Sequence, residues 1–215
     1  MNTSNEELIK LITKLIIEEL NIEKEVLIPI GVSNRHVHLC RHHLDVLFGK
    51  GYELSKLKDL KQPGQFASKE LVTVKGPKGF IENVRILGPL RDETQAEISK
   101  TDGFKLGINA PVRESGKIKD SASFEIIGPK GKVICSQGII VALRHIHMTG
   151  EIAKRLNLKD KDIVDVEVSG ERKGILGNVL IRVSDQYALE MHVDLDEANA
   201  FSLKNDDTVK IVKKG

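Results

Sequence analysis

The sequence predicts a mainly β protein: two small duplicated β-barrel domains with short helices, preceded by an N-terminal amphipathic helix. Short Val- and Ile-rich runs alternate with glycine-bearing turns, a texture that suits small barrels or sandwiches better than a parallel α/β sheet. A His-x-His pair behind an apolar run occurs twice. Arg35-His36-Val37-His38 follows Val26–Val32, and Arg144-His145-Ile146-His147 follows Ile139–Leu143. Residues 1–24 differ in character from everything after them.

In that first stretch, Leu8, Ile9, Leu11, Ile12, Leu15, Ile16 and Leu20 share one helical face, with Lys10, Lys14 and Glu18 opposite. Ser4 and Glu7 make a capping box, which starts the helix near residue 5. Such a helix is marginal alone in water and needs a surface to cover it. That surface is either the protein's own domain or an external groove or membrane face.

Beyond Pro29, strands are expected over 26–32, 70–75, 80–87, 122–127, 132–135, 138–143, 163–168, 175–183, 189–193 and 208–213. Gly76-Pro77-Lys78-Gly79 and Gly128-Pro129-Lys130-Gly131 are hairpin turns. Short helices over 41–48 and 149–156 each open just after a His-x-His. The expected division is a helix over 1–24, a first barrel over 25–118 and a second over 119–215.

Composition excludes several function classes. A net charge of +2 and 4% aromatic residues leave no basic, ring-lined surface for nucleic acid. No apolar run approaches the roughly 20 residues of a membrane span, and the acidic pair Glu6, Glu7 argues against a signal peptide. Cys40 and Cys135 make no disulfide framework, so a reducing compartment is expected.

The His-x-His pairs carry the chemistry. Residues two apart on a strand face the same way, so each pair aims two imidazoles at one spot, as metal binding requires. The repeat also extends downstream, where Asn83-Val84-Arg85-Ile86 returns as Asn178-Val179-Leu180-Ile181. Thirteen residues after each valine stand Glu97 and His192. The candidate ligand sets are therefore His36, His38, Glu97 and His145, His147, His192. Three protein ligands with open positions describe a catalytic metal site, and imidazole-rich ligation favours zinc. His42 and His43 fall outside the repeat and are read as surface or supporting residues.

Arg91 lies in a Gly- and Pro-bearing loop six residues before Glu97. It is either an anion-binding fork or the partner of Asp92 or Glu93. Arg113 and Ser115 form a second, weaker turn of the same kind. Asp194 and Asp196 are expected to be solvated, with a lesser chance of orienting an imidazole.

Together these motifs resemble the phosphate propanoyltransferase (phosphotransacylase) family of bacterial microcompartments. The resemblance covers about residues 27–213. It rests on Val32-Ser33-Asn34-Arg35-His36-Val37-His38-Leu39, Ile86-Leu87-Gly88-Pro89 through Arg91 to Thr94-Gln95-Ala96-Glu97-Ile98-Ser99, Arg144-His145-Ile146-His147-Met148, and Met191-His192-Val193-Asp194. It implies two β-barrel domains, two divalent metal ions (zinc first) on the six residues above, and acyl exchange between coenzyme A and phosphate. It further implies Arg91 as the phosphate-contacting and catalytic arginine, with Ser115 a second phosphate contact. Residues 1–24 then look like an encapsulation peptide for shell or core proteins, with the microcompartment lumen as location. A homodimer or higher homo-oligomer is expected. Cys40 stands where relatives often carry Ser or Thr at a helix start.

Acyl transfer from a thioester needs a polarised carbonyl, a positioned phosphate and a stabilised thiolate. No Ser-His-Asp or Cys-His arrangement is evident, so direct attack by phosphate is expected over an acyl-enzyme. Lys56, Lys58, Lys61, Lys75, Lys78, Lys100 and Lys105 are candidates to meet the nucleotide end of coenzyme A. Two alternatives stand beside this reading. A metal-dependent hydrolase would favour an eight-fold βα barrel of about 250 residues, and neither that length nor eight βα units appears here. A non-catalytic assembly protein would leave six convergent ligands unexplained.

Overall fold

The computed structural model describes residues 3–19 and 26–212. Helix α1 (Thr3–Glu19) comes first, and its Leu8, Ile9, Leu11, Ile12, Leu15 and Ile16 are all exposed. Leu20 and the rest of the 1–24 stretch lie outside the described residues, as does the side chain of Ser4.

The remainder closes into two six-stranded rings, as the duplicated pattern predicts. The second is β1 (Ile28–Ser33), β13 (Glu190–Asp194), β10 (His145–Met148), β12 (Gly174–Val183), β11 (Ile163–Val168) and β14 (Thr208–Val212), which pairs back to β1. The first runs β4 (Phe66–Lys75), β5 (Phe80–Gly88), β2 (His36–His38), β6 (Gln95–Glu97), β9 (Lys132–Ala142) and β8 (Ala122–Ile127), which pairs back to β4. Short strands β3 (Lys56–Asp59) and β7 (Val112–Arg113) flank β4 and β9. Helices α2 (Arg41–Phe48), α3 (Lys100–Leu106), α4 (Gly150–Arg155) and α5 (Leu195–Phe201) connect strands. Among the described residues, no helix is long and apolar enough to cross a membrane.

The expected cut between residues 118 and 119 is not how the strands divide. β8 and β9 complete the first ring, while β1 belongs to the second. The reason is a reciprocal exchange. β1 leads into His36 but pairs in parallel with β13, placing Gly31 beside His192. β9 leads toward His145 but pairs in parallel with β6, placing Ile140 beside Glu97. Each strand that leads into a His-x-His therefore lies against the third-ligand strand of the other ring. Sequence order cannot reveal such a swap, because both halves carry the same apolar pattern.

Each ring fills its interior from alternate positions along its strands. Val37, Val72, Val74, Val84, Ile86, Phe124, Ile126 and Ile139 are among the core of the first. Ile28, Ile30, Ile146, Val166, Val179, Ile181, Met191 and Val193 serve the second. At about 25 cal/mol per Å² of apolar surface removed from water, these residues supply the main driving force.

The Gly-Pro-Lys-Gly turns form as expected, with Gly76 N–H bonded to Gly79 O at 2.8 Å and Gly128 N–H to Gly131 O at 2.9 Å. They also do something the pattern did not announce. Lys78 N–H donates to Leu106 O at the end of α3, and Lys130 N–H to Leu47 O at the end of α2. A helix C-terminus leaves such carbonyls unpaired, so each turn caps a helix. The glycines are needed for that approach: a Cβ on Gly76 would sit 2.3 Å from Leu106 O.

The two expected strands 132–135 and 138–143 are one bent strand, β9, with Gly138 at φ +125°. Strands β2, β3, β6, β7 and β10 and helices α3 and α5 were not delimited from sequence, being too short for a period to register.

Candidate metal centres and active site

The register of each ring assembles one candidate ligand set. In the first, antiparallel pairing of β2 with β6 puts His36 directly opposite Glu97. In the second, pairing of β10 with β13 puts His145 opposite His192. The period of two then brings His38 and His147 to the same faces. Within each set, ligand atoms of all three residues lie within 4.8 Å of one another. The three rings of the second set form a near-equilateral triangle with centroids 4.7, 5.0 and 5.0 Å apart.

Both sets fit a metal ion on the chemistry of their donors. His36 Nδ1 faces Asn34 O at 2.8 Å and His145 Nδ1 faces Leu143 O at 2.8 Å, the carbonyl two residues back in each case. Such a bond fixes the proton on Nδ1 and leaves Nε2 as a donor to metal. His36 Nε2 lies 3.5 Å from Glu97 Oε2 and His38 Nε2 4.0 Å from Glu97 Oε1. Tetrahedral ligands at about 2.0–2.1 Å from zinc stand about 3.3 Å apart, so the first distance is near that of co-ligands. His38 Nδ1 and both ring nitrogens of His147 are buried without a hydrogen-bond partner. Buried polar atoms rarely stay unpaired, and a metal ion at the second set would take one of the two nitrogens of His147.

Electrostatics favour the neutral, ligating forms of His38, His145 and His147. Burial and the neighbouring His36 hold His38 well below the ordinary imidazole range. Burial and His192 lower His145 to about 4, and burial with His145 lowers His147 to about 2. All three are neutral at pH 7. Burial opposes ionisation of Glu97, but His36 and His38 outweigh it and hold its carboxyl well below the usual range. Burial likewise opposes the charge on His36, and Glu97 outweighs it, raising that pKa.

Each arginine before a His-x-His is anchored the same way. Arg35 Nε pairs with Asp102 Oδ2 at 2.8 Å, and Arg144 Nε with Glu197 Oε1 at 3.0 Å. Asp102 and Glu197 are equivalent residues, each the third position of a capping box that opens α3 or α5. Asp194 is therefore an N-cap and not a solvated carboxylate, and Asp196 accepts from Thr101 N at 2.8 Å.

Both ligand sets line one cavity of about 630 Å³, together with Arg91 and Ser115. Arg91 makes no ion pair with Asp92 or Glu93, which are exposed. Its Nη1 donates instead to Ser115 Oγ at 3.1 Å, and that hydroxyl lies 2.7 Å from Glu97 Oε1. The structure thus brings Arg91, Ser115 and the first ligand set together. Arg113 is exposed on β7.

Comparison with known proteins gives the family. The phosphate propanoyltransferase family model matches residues 29–204. The chain belongs to that family. It is 56% identical over 187 residues to a phosphate propanoyltransferase of Rhodopseudomonas palustris, covering 87% of this chain and 83% of the relative. A Thermotoga maritima relative of the same name is 56% identical over 193 residues (89% and 92%), and one from Clostridioides difficile 50% over 201 (93% and 96%). The chain is accordingly an enzyme of the acyltransferase class.

Several residues of this candidate site were not singled out from the sequence. Arg85, Arg182, Gln62 and Glu190 line the cavity. Tyr187 stacks on His147 with centroids 4.3 Å apart, and Gln95 Nε2 donates to Glu97 Oε1 at 2.6 Å and to Ser115 Oγ at 3.0 Å. Gln95 and Glu190 had a usable signal, since each stands two residues before a third ligand and on its face. Of the seven candidate lysines, Lys58 and Lys61 line the cavity. Lys75 pairs with Glu125, and Lys100 with Ala110 O. His42 is exposed, while His43 Nδ1 bonds Thr94 Oγ1 at 2.8 Å, close to Cys40 and Cys135 and outside the cavity.

Proposed function

We propose that the protein moves a short acyl group, propanoyl or acetyl, between coenzyme A and inorganic phosphate: acyl-CoA + phosphate = acyl phosphate + CoA. The observation that carries this reading is the shared cavity, where two three-ligand sets face the Arg91–Ser115 pair.

In this reading His36, His38 and Glu97 hold one divalent ion and His145, His147 and His192 a second, zinc by donor type. When bound, such ions supply Lewis acidity toward the thioester and neutralise charge on phosphate and on the departing sulfur. Arg91 offers phosphate a charged, planar donor fork. Ser115 orients that fork and adds a hydroxyl to the same subsite. A phosphate oxygen attacks the thioester carbon, the C–S bond breaks, and coenzyme A leaves as thiolate. Holding both substrates together removes much of the entropic barrier.

Direct attack is supported over an acyl-enzyme. Ser115 touches Glu97, but a carboxylate held well below its usual range is a poor base for a hydroxyl. Burial pushes the Cys135 thiol up to about 11, far from thiolate at neutral pH. Lys58 and Lys61 at the cavity wall are the candidate partners of the nucleotide end of coenzyme A.

Residues 1–24 are proposed as an encapsulation peptide for microcompartment shell or core proteins, which places the enzyme in the microcompartment lumen. The support is the exposed apolar face of α1.

The test is propanoyl-CoA with and without phosphate, following free thiol and acyl phosphate. The reading expects both products, and only with phosphate. Thiol release independent of phosphate would mark a hydrolase, and no release an assembly protein.

A further inference from the structure

The two centres differ in their third ligand, a carboxylate in one and an imidazole in the other. The neighbouring residue differs in the opposite sense. Gln95 and Glu190 occupy equivalent positions, opposite His38 in β6 and opposite His147 in β13. Gln95 turns an amide N–H onto Glu97 Oε1 at 2.6 Å. Glu190 turns carboxylate Oε2 onto His192 Nε2 at 2.7 Å. A ligand that accepts hydrogen bonds is thus met by a donor, and a ligand that carries an N–H is met by an acceptor.

We propose that Gln95 and Glu190 are the positioning residues that fit each third ligand to its centre, the first by donating to a carboxylate and the second by accepting from an imidazole. This rests on the two-metal reading above. Glu190 is not itself a ligand in this account, since it stands outside the three-residue set and its 2.7 Å contact is a hydrogen bond. It is 5% exposed and firmly held. Lys61 Nζ lies 3.4 Å from Oε1, and Gln62 Nε2 donates to Oε2 at 3.3 Å and to Ala188 O at 3.1 Å. Gln62 and Lys61 follow β3 of the first ring, so Glu190 also ties that cavity wall to the second centre. A carboxylate accepting from a ligating imidazole fixes its tautomer and raises its basicity, and losing such a partner costs about 10–100-fold in metal affinity.

Gln95→Glu would set a second carboxylate beside Glu97, and Glu190→Gln would give His192 a neutral acceptor in place of a charged one.

The test is competition of full-length, zinc-loaded protein against a chromophoric chelator, for wild type, Glu190→Ala, Glu190→Gln, Gln95→Glu and Gln62→Ala. Wild type should hold two zinc equivalents. Glu190→Ala should weaken one of them about 10–100-fold and leave the other unchanged, with Glu190→Gln intermediate. Gln95→Glu should weaken the other one. Gln62→Ala loosens the same wall without touching His192 and should keep both. Wild-type affinity in Glu190→Ala and Glu190→Gln overturns the proposal, as does an equal loss in Gln62→Ala, which would assign the effect to wall packing. A wild type that binds no zinc overturns the two-metal reading itself. Circular dichroism of each variant separates misfolding from lost metal, and Glu190→Gln, nearly isosteric, carries the test if Glu190→Ala does not fold.

Discussion

The Asp196 carboxylate of α5 accepts the backbone N–H of Thr101 in α3 at 2.8 Å. The two residues are counterparts in the repeat, each two places after an N-cap, Asp194 or Ser99. One ring therefore supplies a carboxylate to the helix N-terminus of the other, where unpaired N–H groups and the helix dipole favour negative charge.

Replacing Asp196 with Ala should cost about 1 kcal/mol of stability, the usual loss of a helix N-terminal acceptor. Metal content should not change, because the residue touches no ligand. Urea denaturation measures the first and elemental analysis the second. An unchanged midpoint would show that solvent replaces the contact at no cost.

A strong chelator should remove about two divalent ions per chain, abolish acyl transfer and lower the melting temperature. The last follows because ions that bind only the folded state stabilise it by mass action. Zinc or cobalt should restore all three. Absence of any transition metal after reconstitution would remove the basis for the six-ligand assignment.

The convergence of the six candidate ligands shows how much of the candidate site was legible in the sequence, whereas the pairing of each preceding arginine with a helix start was not. His36, His38, His145 and His147 could be read because period two and a second copy make their convergence visible. Glu97 and His192 needed the repeat as a ruler. The strand exchange through β1 and β9 was not legible, since swapped and unswapped pairings bury the same apolar faces. The period of two placed Gln95 and Glu190 on the face of a third ligand, but only the side-chain contacts show what each does there. Arg182 stayed hidden for a related reason. Only the pairing of β12 with β10 sets it beside His147.

Acid should weaken the protein through Glu114, which joins the segment after β7 to the second ring. It pairs with Lys161 and Lys117 and lies 3.7 Å from Arg182. Burial alone would raise its pKa, but the lysines dominate and lower it to about 2 from an ordinary 4.5. A depressed carboxylate pKa gives stability that is complete above the unfolded value and fades as pH falls toward the folded one. The wild-type advantage over Glu114→Gln should thus be constant above about pH 5, shrink below about 4.5 and vanish near 2. Denaturation midpoints across that range provide the check. A gap that persists undiminished to about pH 2.5 would contradict the assignment.

Deleting residues 1–24 should leave turnover within about a factor of two and abolish co-purification with microcompartment shells. The truncated form should also be the more soluble, having lost an exposed apolar face. Collapse of activity or folding on truncation would assign the helix to the domain instead.

In the proposed reaction Arg91 separates an acyl transfer to phosphate from a generic metal-assisted hydrolysis, so the most direct measurement is phosphate saturation at fixed propanoyl-CoA. Wild type, Arg91→Ala and Arg91→Lys should be compared with metal content determined on the same samples. Arg91→Ala should lose about 100-fold or more in turnover, the cost of about 3 kcal/mol at a developing charge. Arg91→Lys should recover little of it, since a point charge does not reproduce a bidentate fork. Both variants should retain wild-type metal. Wild-type turnover and phosphate affinity in Arg91→Ala would contradict the account and remove Arg91 and its partner Ser115 from the phosphate site.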